Sequence, residues 1–470
     1  MVGGPLLKSV IIYTLPIIFT GILQLLFNAA DLVVVGRFRG SVCVAAVGST
    51  GALINLIINM FIGLSVGAGV AVAQAKGAGN GKEMHKAVHT SILTALISGV
   101  ILTAAGIFLA GRLLELMDTP EDILPLSTKY MRIYFVGILS SMVYNFGAAI
   151  LRALGDTRGP LMFLTIAGIA NVGLNLLFVL AFGMDVDGVA WATVITQTIA
   201  AVLVLMSLAR RDDAAKLRFH KLRIYKESLL KIMKIGLPAG FQSVMFNISN
   251  VFIQSSVNSF HSVAVSSGNS AASNIEGFVY VSMNAFHQTA LNFAGQNVGA
   301  GKAKRTSKIL ICCLGCVSAF GIVLGVLGYV FGRPLLSIYI VDSPEAIGYG
   351  MTRLAFICLP YFLCGLMDVA TGTLRGMGSS FVPMVITIVG VCVMRMIWIF
   401  TIFSIPRFHT LEILYLSYII SWIISFVAQL IAFRVVYNKI NRSSGTGEDA
   451  GAPEGDRAEM IDGRGGEENV

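Results

Sequence analysis

The chain of 470 residues carries too little charge for the surface of a water-soluble protein. Hydrophobic residues make up 56% of it and charged residues only 13%, whereas soluble domains carry about 25% charged residues. This composition excludes a set of ordinary soluble domains and favours an integral membrane protein. The seven cysteines are odd in number and lie mostly in apolar runs, which predicts apolar packing and neither a disulfide framework nor a metal site.

Twelve runs of the sequence are long and apolar enough to cross a bilayer, which takes roughly 20 helical residues. The first six lie near 10–36, 44–73, 88–110, 130–151, 160–183 and 188–209. The second six lie near 235–258, 272–295, 309–331, 351–373, 381–404 and 411–436. The sequence therefore predicts an all-α integral membrane protein with twelve transmembrane helices. The first run is too long, and is followed by too many others, to be a cleaved signal peptide.

Lysine and arginine are concentrated in alternate loops between these runs. The loop 210–234 contains nine of them, whereas the loop 258–271 contains none. If the N-terminus is cytoplasmic, the inner segments up to residue 440 hold 22 Lys/Arg and the outer ones 8, which is the positive-inside pattern of membrane proteins. We therefore expect a multi-pass protein of the cell membrane with both termini in the cytoplasm. The net charge of +9 then requires no nucleic-acid partner.

The two halves of the chain repeat each other at a separation of about 222 residues. The matched segments are Leu15-Pro16 with Leu237-Pro238, Asn28 with Asn250, Gln74 with Gln296, Gly77-Ala78-Gly79 with Gly299-Ala300-Gly301, and Leu151-Arg152 with Leu374-Arg375. This predicts an N-terminal six-helix lobe (1–209), a basic cytoplasmic inter-lobe loop (210–234), a C-terminal six-helix lobe (235–440) and a disordered acidic cytoplasmic tail (441–470).

An even number of helices in each lobe means that both lobes enter the membrane in the same direction. Such parallel repeats are related by an axis along the membrane normal and enclose a central cleft. This architecture is typical of a carrier that alternates between states open to either side of the membrane.

The first and seventh runs each carry polar residues along one helical face, since their spacings are three or four residues. These residues are Thr20, Gln24, Asn28 and Asp31 in the first run, and Ser243, Asn247, Asn250 and Gln254 in the seventh. Both runs also contain a proline, Pro16 and Pro238, which allows a bend in a membrane helix. We expect the two faces to line the cleft, with Gln24, Asn28 and Asn250 as substrate-facing residues.

Asp31 is the most informative single residue, because a carboxylate at the centre of a membrane helix costs roughly 2.5–3.5 kcal/mol. One interpretation is an interfacial aspartate paired with Arg37 or Arg39. The other is an ion-coupling carboxylate that exchanges a proton or a cation. Asn171 and Asn175, four residues apart, could supply further oxygen ligands to the same site.

The sixth run adds Thr193 and Gln197, again four residues apart. Their oxygen atoms could complete a cation shell or relay a proton, and the alternative is a set of hydrogen bonds between helices, worth about 0.6 kcal/mol each. The occurrence of these residues with Asp31 in one lobe favours an ion site, for H⁺ or Na⁺.

The C-terminal lobe has three charged candidates, Glu276, Asp368 and Arg395. Arg395 is expected to be the counter-charge of one of the two acids, and a purely structural ion pair is the alternative. Tyr144 and Met283 are expected to give the cleft an apolar, polarizable wall suited to organic cations.

The sequence lacks the spacing of a phosphate-binding Walker loop and contains no HExxH motif, and its GxSxG match at residues 63–67 lies inside an apolar run and not at a strand-to-helix turn. It therefore predicts neither direct drive by a nucleotide nor an enzyme, and no cofactor.

These features together resemble the bacterial branch of the multidrug and toxic compound extrusion (MATE) family over about residues 5–440. The similar segments are Leu15-Pro16, residues 30–36 around Asp31, the segments that begin at Gln74 and Gln296, Leu151-Arg152 through Pro160, and Leu374-Arg375 through Gly378.

The resemblance implies secondary active export of small organic cations or amphipathic drugs in exchange for inward Na⁺ or H⁺. It also implies an ion site formed by Asp31, Asn171, Asn175 and Thr193, with membrane lipid around the protein and no obligate protein partner. The chain differs from many relatives in having Asn175 in place of an acid, and in having no acid within 235–258.

Two other functions are compatible with a polytopic membrane protein. A flippase for lipid-linked precursors is expected to have extra helices and a strongly cationic cavity, but here Arg395 is the one base that lies far from the ends of a predicted span. A receptor or scaffold that does not transport would leave the matched polar helices unexplained.

Overall fold

The computed structural model describes residues 1–117, 119–340 and 343–448, and within these ranges it contains helices and no strand. The first six long helices are α1 (Leu6–Arg39), α2 (Ser41–Gly77), α3 (Gly81–Glu115), α4 (Leu124–Ala153), α5 (Arg158–Ala181) and α6 (Val186–Ala209). The second six are α7 (Lys226–Asn258), α8 (Val263–Gly299), α9 (Lys304–Val330), α10 (Pro344–Gly376), α11 (Phe381–Phe403) and α12 (Leu411–Glu448). A short helix, Gly332–Tyr339, follows α9.

The predicted all-α architecture of twelve transmembrane helices is confirmed. In the described part of the chain, ten of these helices meet the length and apolarity that a membrane crossing requires. The other two, α7 and α8, are long enough, but they carry polar side chains such as Asn247 and Glu276.

Several helix ends differ from the sequence prediction. α7 begins at Lys226 and not near 235. The prediction followed the apolar run alone, whereas the more polar residues before 235 are also helical. α12 continues to Glu448, past the expected start of the tail at 441. The rest of the predicted tail, 449–470, lies outside the described residues.

Each half of the chain packs mainly on itself. In the first half, α4 contacts α2, α3 and α6, and α5 lies between α1 and α6. In the second half, α10 contacts α8, α9 and α12. The two halves meet through α2 with α7 and through α1 with α8, and the internal repeat relates these two contacts to each other.

Glycines allow the backbones of the two halves to touch. A Cβ atom added to Gly63 of α2 would lie 2.2 Å from the backbone nitrogen of Gly240 in α7. A Cβ on Gly77 would lie 1.9 Å from the carbonyl oxygen of Gln296, and one on Gly299 would lie 2.0 Å from that of Gln74. Small residues of this kind are typical of close crossings between membrane helices.

Two glutamines hold the same region together. The Gln74 amide donates to the carbonyl oxygen of Gly376 at 2.9 Å, and the Gln296 amide donates to that of Ala153 at 2.7 Å. Each bond crosses from one half to the other and satisfies a carbonyl near the C-terminal end of a helix, which otherwise has no partner within the helix. We call these two bonds the glutamine latch.

The latch lies at the end of the bundle that carries the inter-lobe loop, which we call the basic end. The loop itself packs on α3, because the backbone nitrogen of Arg218 donates to His89 Nε2 at 3.1 Å. Within the loop, the Arg211 guanidinium hydrogen-bonds the Asp213 carboxylate at 2.7 Å and thereby lowers the pKa of that carboxyl. The bundle is therefore closed at its basic end.

Candidate functional site

Asp31 of α1 meets the two asparagines of α5. Its Oδ1 atom accepts a hydrogen bond from Asn175 Nδ2 at 2.5 Å, and the same nitrogen donates to Asn171 Oδ1 at 3.2 Å. Asn171 and Asn175 are both buried, whereas Asp31 is partly exposed. The structure thus brings together three of the four residues that the sequence predicts for the ion site.

The fourth predicted residue, Thr193, lies outside this network. Its hydroxyl donates to the backbone oxygen of Val189 in its own helix at 3.0 Å. Thr196, one turn further along α6, accepts from Asn171 Nδ2 at 3.5 Å instead. Sequence reasoning missed Thr196 because helical spacing identifies a face of α6 but does not give its rotation toward α5.

The interfacial interpretation of Asp31 is not what the structure shows. Arg39 pairs with Asp185 at 3.5 Å and donates to the backbone oxygen of Val179 at 2.7 Å. Within the described residues, no ion pair joins Asp31 to Arg37 or Arg39.

The network also contains an acceptor without a donor. Asn175 Oδ1 is buried and has no hydrogen-bond partner among the described residues. A buried acceptor left without a partner costs about 1–3 kcal/mol. A carboxylate in the same network as an unpartnered amide oxygen suits a proton or a small hard cation, which prefers oxygen ligands. Tyr130 and Tyr134 of α4 interact electrostatically with Asp31, and the sequence analysis did not single them out.

A first cavity of about 440 Å³ lies between the two halves. Gln24 and Tyr144 line it, as the sequence predicts, together with Asn145 and Arg152. Asn28 is exposed on α1 and is not among the lining residues. We call this space the central cavity.

A second cavity of about 490 Å³ lies within the second half, and we call it the second-lobe cavity. Asn250, one of the residues expected to face the cleft, lines it together with the charged candidates Glu276 and Asp368. The two cavities share the lining residues Asn59, Ser243, Tyr280, Asn284, His287 and Arg375, so they are contiguous.

The counter-charge of Glu276 is Arg353 and not Arg395, so the expected pairing is wrong. Arg353 Nε and Nη2 bind the two carboxylate oxygens of Glu276 at 2.9 and 2.8 Å. Arg395 is fully buried, lies 3.9 Å over the ring of Tyr418 and donates through Nε to Ser421 at 3.1 Å. Arg353 is the third residue of the predicted run 351–373, and the sequence analysis did not single it out.

Met283 does not face the cleft, which corrects a second expectation. Its side chain is fully buried in the core of the second half. There it packs where α9 and α10 approach through glycines, since Cβ atoms on Gly321 and Gly365 would lie 3.1 and 2.8 Å from its sulfur. Whether an apolar residue such as Met283 faces the cavity or the core can be decided only when the neighbouring helices are known.

Comparisons with known proteins agree with this architecture. The MatE family model matches residues 16–177 and 238–401. The probable multidrug resistance protein YpnP of Bacillus subtilis (strain 168) is 29% identical over 392 residues, which cover 83% of this chain and 87% of that protein. A second probable multidrug resistance protein of the same organism, YoeA, is 28% identical over 391 residues, covering 81% of this chain and 83% of that protein.

The fold is also that of solved structures. One of them is described as an outward-facing conformation of a multidrug resistance MATE family transporter of the MOP superfamily. It matches with a TM-score of 0.86 at 19% identity, over 93% of this chain and 97% of that chain.

Proposed function

The chain belongs to the MATE family, whose members are transporters and not enzymes, and on this premise we propose that it exports small organic cations or amphipathic drugs across the cell membrane. Export is secondary active and is driven by the inward movement of H⁺ or Na⁺. The observation that carries this proposal is the network of Asp31, Asn175 and Asn171, in which one carboxylate accepts a hydrogen bond from a buried amide whose own oxygen has no donor.

The network supports ion coupling through its own atoms. A proton on the Asp31 carboxyl would turn it into a hydrogen-bond donor, and a half-turn of the Asn175 amide would bring the unpartnered Oδ1 atom to that donor. A sodium ion would instead be held by the Asp31 carboxylate with the amide oxygens of Asn171 and Asn175. Both ions neutralise the one carboxylate that this site contains, and the gradient experiment below distinguishes them.

α1 provides the link from this site to the movement of the lobes. The helix contacts α5 at the ion site and α8 across the lobe interface, where the Thr14 and Thr289 hydroxyls are 2.8 Å apart. Ion binding therefore acts on a helix that both lobes share. An ion that prefers one arrangement of α1 shifts the population toward the corresponding state of the transporter.

The two contiguous cavities are the proposed substrate path. They combine polar side chains such as Gln24 and Asn250 with aromatic rings such as Tyr144, which suits amphipathic cations. The flippase alternative is not favoured, because the relatives that cover most of the chain are described as probable multidrug resistance proteins and Glu276 balances the Arg353 charge.

We expect efflux of a fluorescent organic cation, ethidium, from proteoliposomes when a Na⁺ gradient and a proton gradient are imposed separately, and the gradient that drives flux identifies the coupling ion. The Asp31→Asn variant should lose gradient-driven flux, because an amide exchanges neither ion. The Asp185→Asn variant is the matched control, since Asp185 pairs with Arg39 away from the network, and it should retain flux. Efflux by Asp31→Asn at the rate of the unmodified protein would contradict the proposal.

A further inference from the structure

The second-lobe cavity contains charges that ion coupling through Asp31 does not use. Of the charged residues around it, Glu276 and Arg353 neutralise each other through two hydrogen bonds. Arg395 is buried behind Tyr418 and is not among the lining residues. The charges left facing the cavity are therefore those of Asp368 and Arg375.

Arg375 is buried and has no acidic partner. Its side chain is 6% exposed, and within the described residues it forms no ion pair within 4.0 Å. Its guanidinium makes one hydrogen bond, from Nη2 to Gln242 Oε1 at 2.8 Å, and its buried Nε atom has no partner in the same part of the chain. A guanidinium taken out of water without an anion is costly, so this group is poised to bind one.

The position of Arg375 also points to a ligand. It lines both the second-lobe cavity and the central cavity, so a molecule in either space can reach it. The planar fork of an arginine suits a carboxylate or a phosphate, to which it donates two parallel hydrogen bonds. Its repeat partner, Arg152, is less buried and lines only the central cavity of the two.

Asp368 supplies the opposite charge in the same cavity. It lies seven residues before Arg375 on α10, so both face the same side of the helix about 10 Å apart along its axis. Its carboxylate makes no hydrogen bond or ion pair to the described residues, although its backbone oxygen accepts from His287. Asp368 and Arg375 attract each other across the cavity, but no hydrogen bond or ion pair within 4.0 Å joins them in the described part of the chain, so a bound molecule can pair with both.

We infer that Arg375 is an oxyanion-binding residue of the second-lobe cavity, which therefore selects exported molecules that carry an acidic group as well as a cationic one. The acidic group binds the Arg375 guanidinium, and the cationic group lies toward Asp368. This assignment rests on the proposed export function and narrows its substrate class to amphoteric organic molecules.

A pair of dyes tests the assignment, because rhodamine 123 is the methyl ester of rhodamine 110 and lacks only its free carboxylate. Binding of each dye to the purified protein is measured by fluorescence anisotropy. We expect the acid to bind about tenfold more tightly than the ester, in line with the strength of a charge-assisted hydrogen bond. In Arg375→Gln the acid should bind about tenfold more weakly, while the affinity for the ester changes less than about twofold.

Two further variants separate recognition from folding. Arg375→Lys keeps the positive charge but not the fork, and it should lose part of the preference for the acid. Arg152→Gln, at the equivalent position of the other repeat, should leave the ratio of the two affinities unchanged. A ratio that is the same in the unmodified protein and in both Arg375 variants would overturn the assignment, as would an absence of acid binding to the unmodified protein.

A wrong assignment of Arg375 and a wrong export function would give different results. Asp31-dependent efflux of the ester with an acid-to-ester ratio that does not depend on Arg375 would overturn only the assignment of Arg375. An Arg375-dependent ratio without flux under either gradient would support the binding site and contradict ion-driven export.

Discussion

At the scale of single residues, the ion site is held by one amide nitrogen with two acceptors. Asn175 Nδ2 donates to both Asp31 and Asn171, so a change at either acceptor alters the bond to the other. Asn171 is in turn positioned by Thr196, because its own amide donates to that hydroxyl. The carboxylate on α1 is therefore linked to α6 through two side chains of α5.

This chain of hydrogen bonds predicts different effects for two threonines on α6. Thr196→Val removes the acceptor of Asn171 and leaves a buried donor unpaired, which costs about 1–3 kcal/mol. We expect the ion concentration that gives half-maximal efflux to rise about tenfold. Thr193→Val should change it less than about twofold, since the Thr193 hydroxyl bonds only its own helix backbone. A change of less than about twofold for Thr196→Val would place Thr196 outside the ion site.

At the scale of helices, the closed basic end depends on pairs of elements that the repeat relates. α2 and α8 cross where Gly77 and Gly299 bring the backbones together. The glutamine latch then joins each of these helices to a helix end in the opposite lobe. Because both bonds cross the lobe interface, they exist only while this end of the bundle is closed.

Loss of the latch should therefore open the basic end. Each hydrogen bond contributes about 1 kcal/mol, so Gln74→Ala or Gln296→Ala should raise the population of the open state about fivefold, and the double variant should raise it further. Spin labels are attached at positions 82 and 304 in a background without the native cysteines. Double electron–electron resonance then measures the distance between the two labels, and so between the lobes. Lys82 and Lys304 are repeat equivalents and both are exposed.

Gln429→Ala is the matched control for this experiment. Gln429 is buried and donates to Thr387 within one lobe at 3.2 Å. Its loss removes a buried glutamine hydrogen bond without touching the interface. An equal shift in the control, or none in the latch variants, would show that the latch does not set the conformational equilibrium.

Much of this arrangement could be predicted from the sequence, because hydropathy, charge and repeats are properties of the chain itself. The helices follow from long apolar runs, and the meeting of Asp31 with Asn175 follows from the rarity of polar groups in lipid. The Glu276–Arg353 pair, the burial of Met283 and the choice of Thr196 over Thr193 depend on how helices rotate against one another. Helical spacing defines a face of each helix, but packing decides which neighbour that face meets.

At the scale of the whole molecule, the interface contacts describe one state of a carrier. The glycine crossings and the glutamine latch close the basic end, and both cavities lie between or within the lobes beyond these contacts. Which side of the membrane the closed end faces decides whether the cavities open outward or inward. The distribution of lysine and arginine predicts that the basic end is cytoplasmic, so we expect this state to be outward-open.

Labelling of single cysteines in a background without the native ones tests this orientation. Lys221→Cys lies in the exposed inter-lobe loop, and Val263→Cys lies at the opposite end of the bundle, where the native side chain is 86% exposed. A maleimide that does not cross membranes should label position 263 in intact cells and position 221 only in inverted vesicles. The reverse pattern would place the closed end outside the cell. The latch would then close the outer side, and the cavities would open toward the cytoplasm in the state described here.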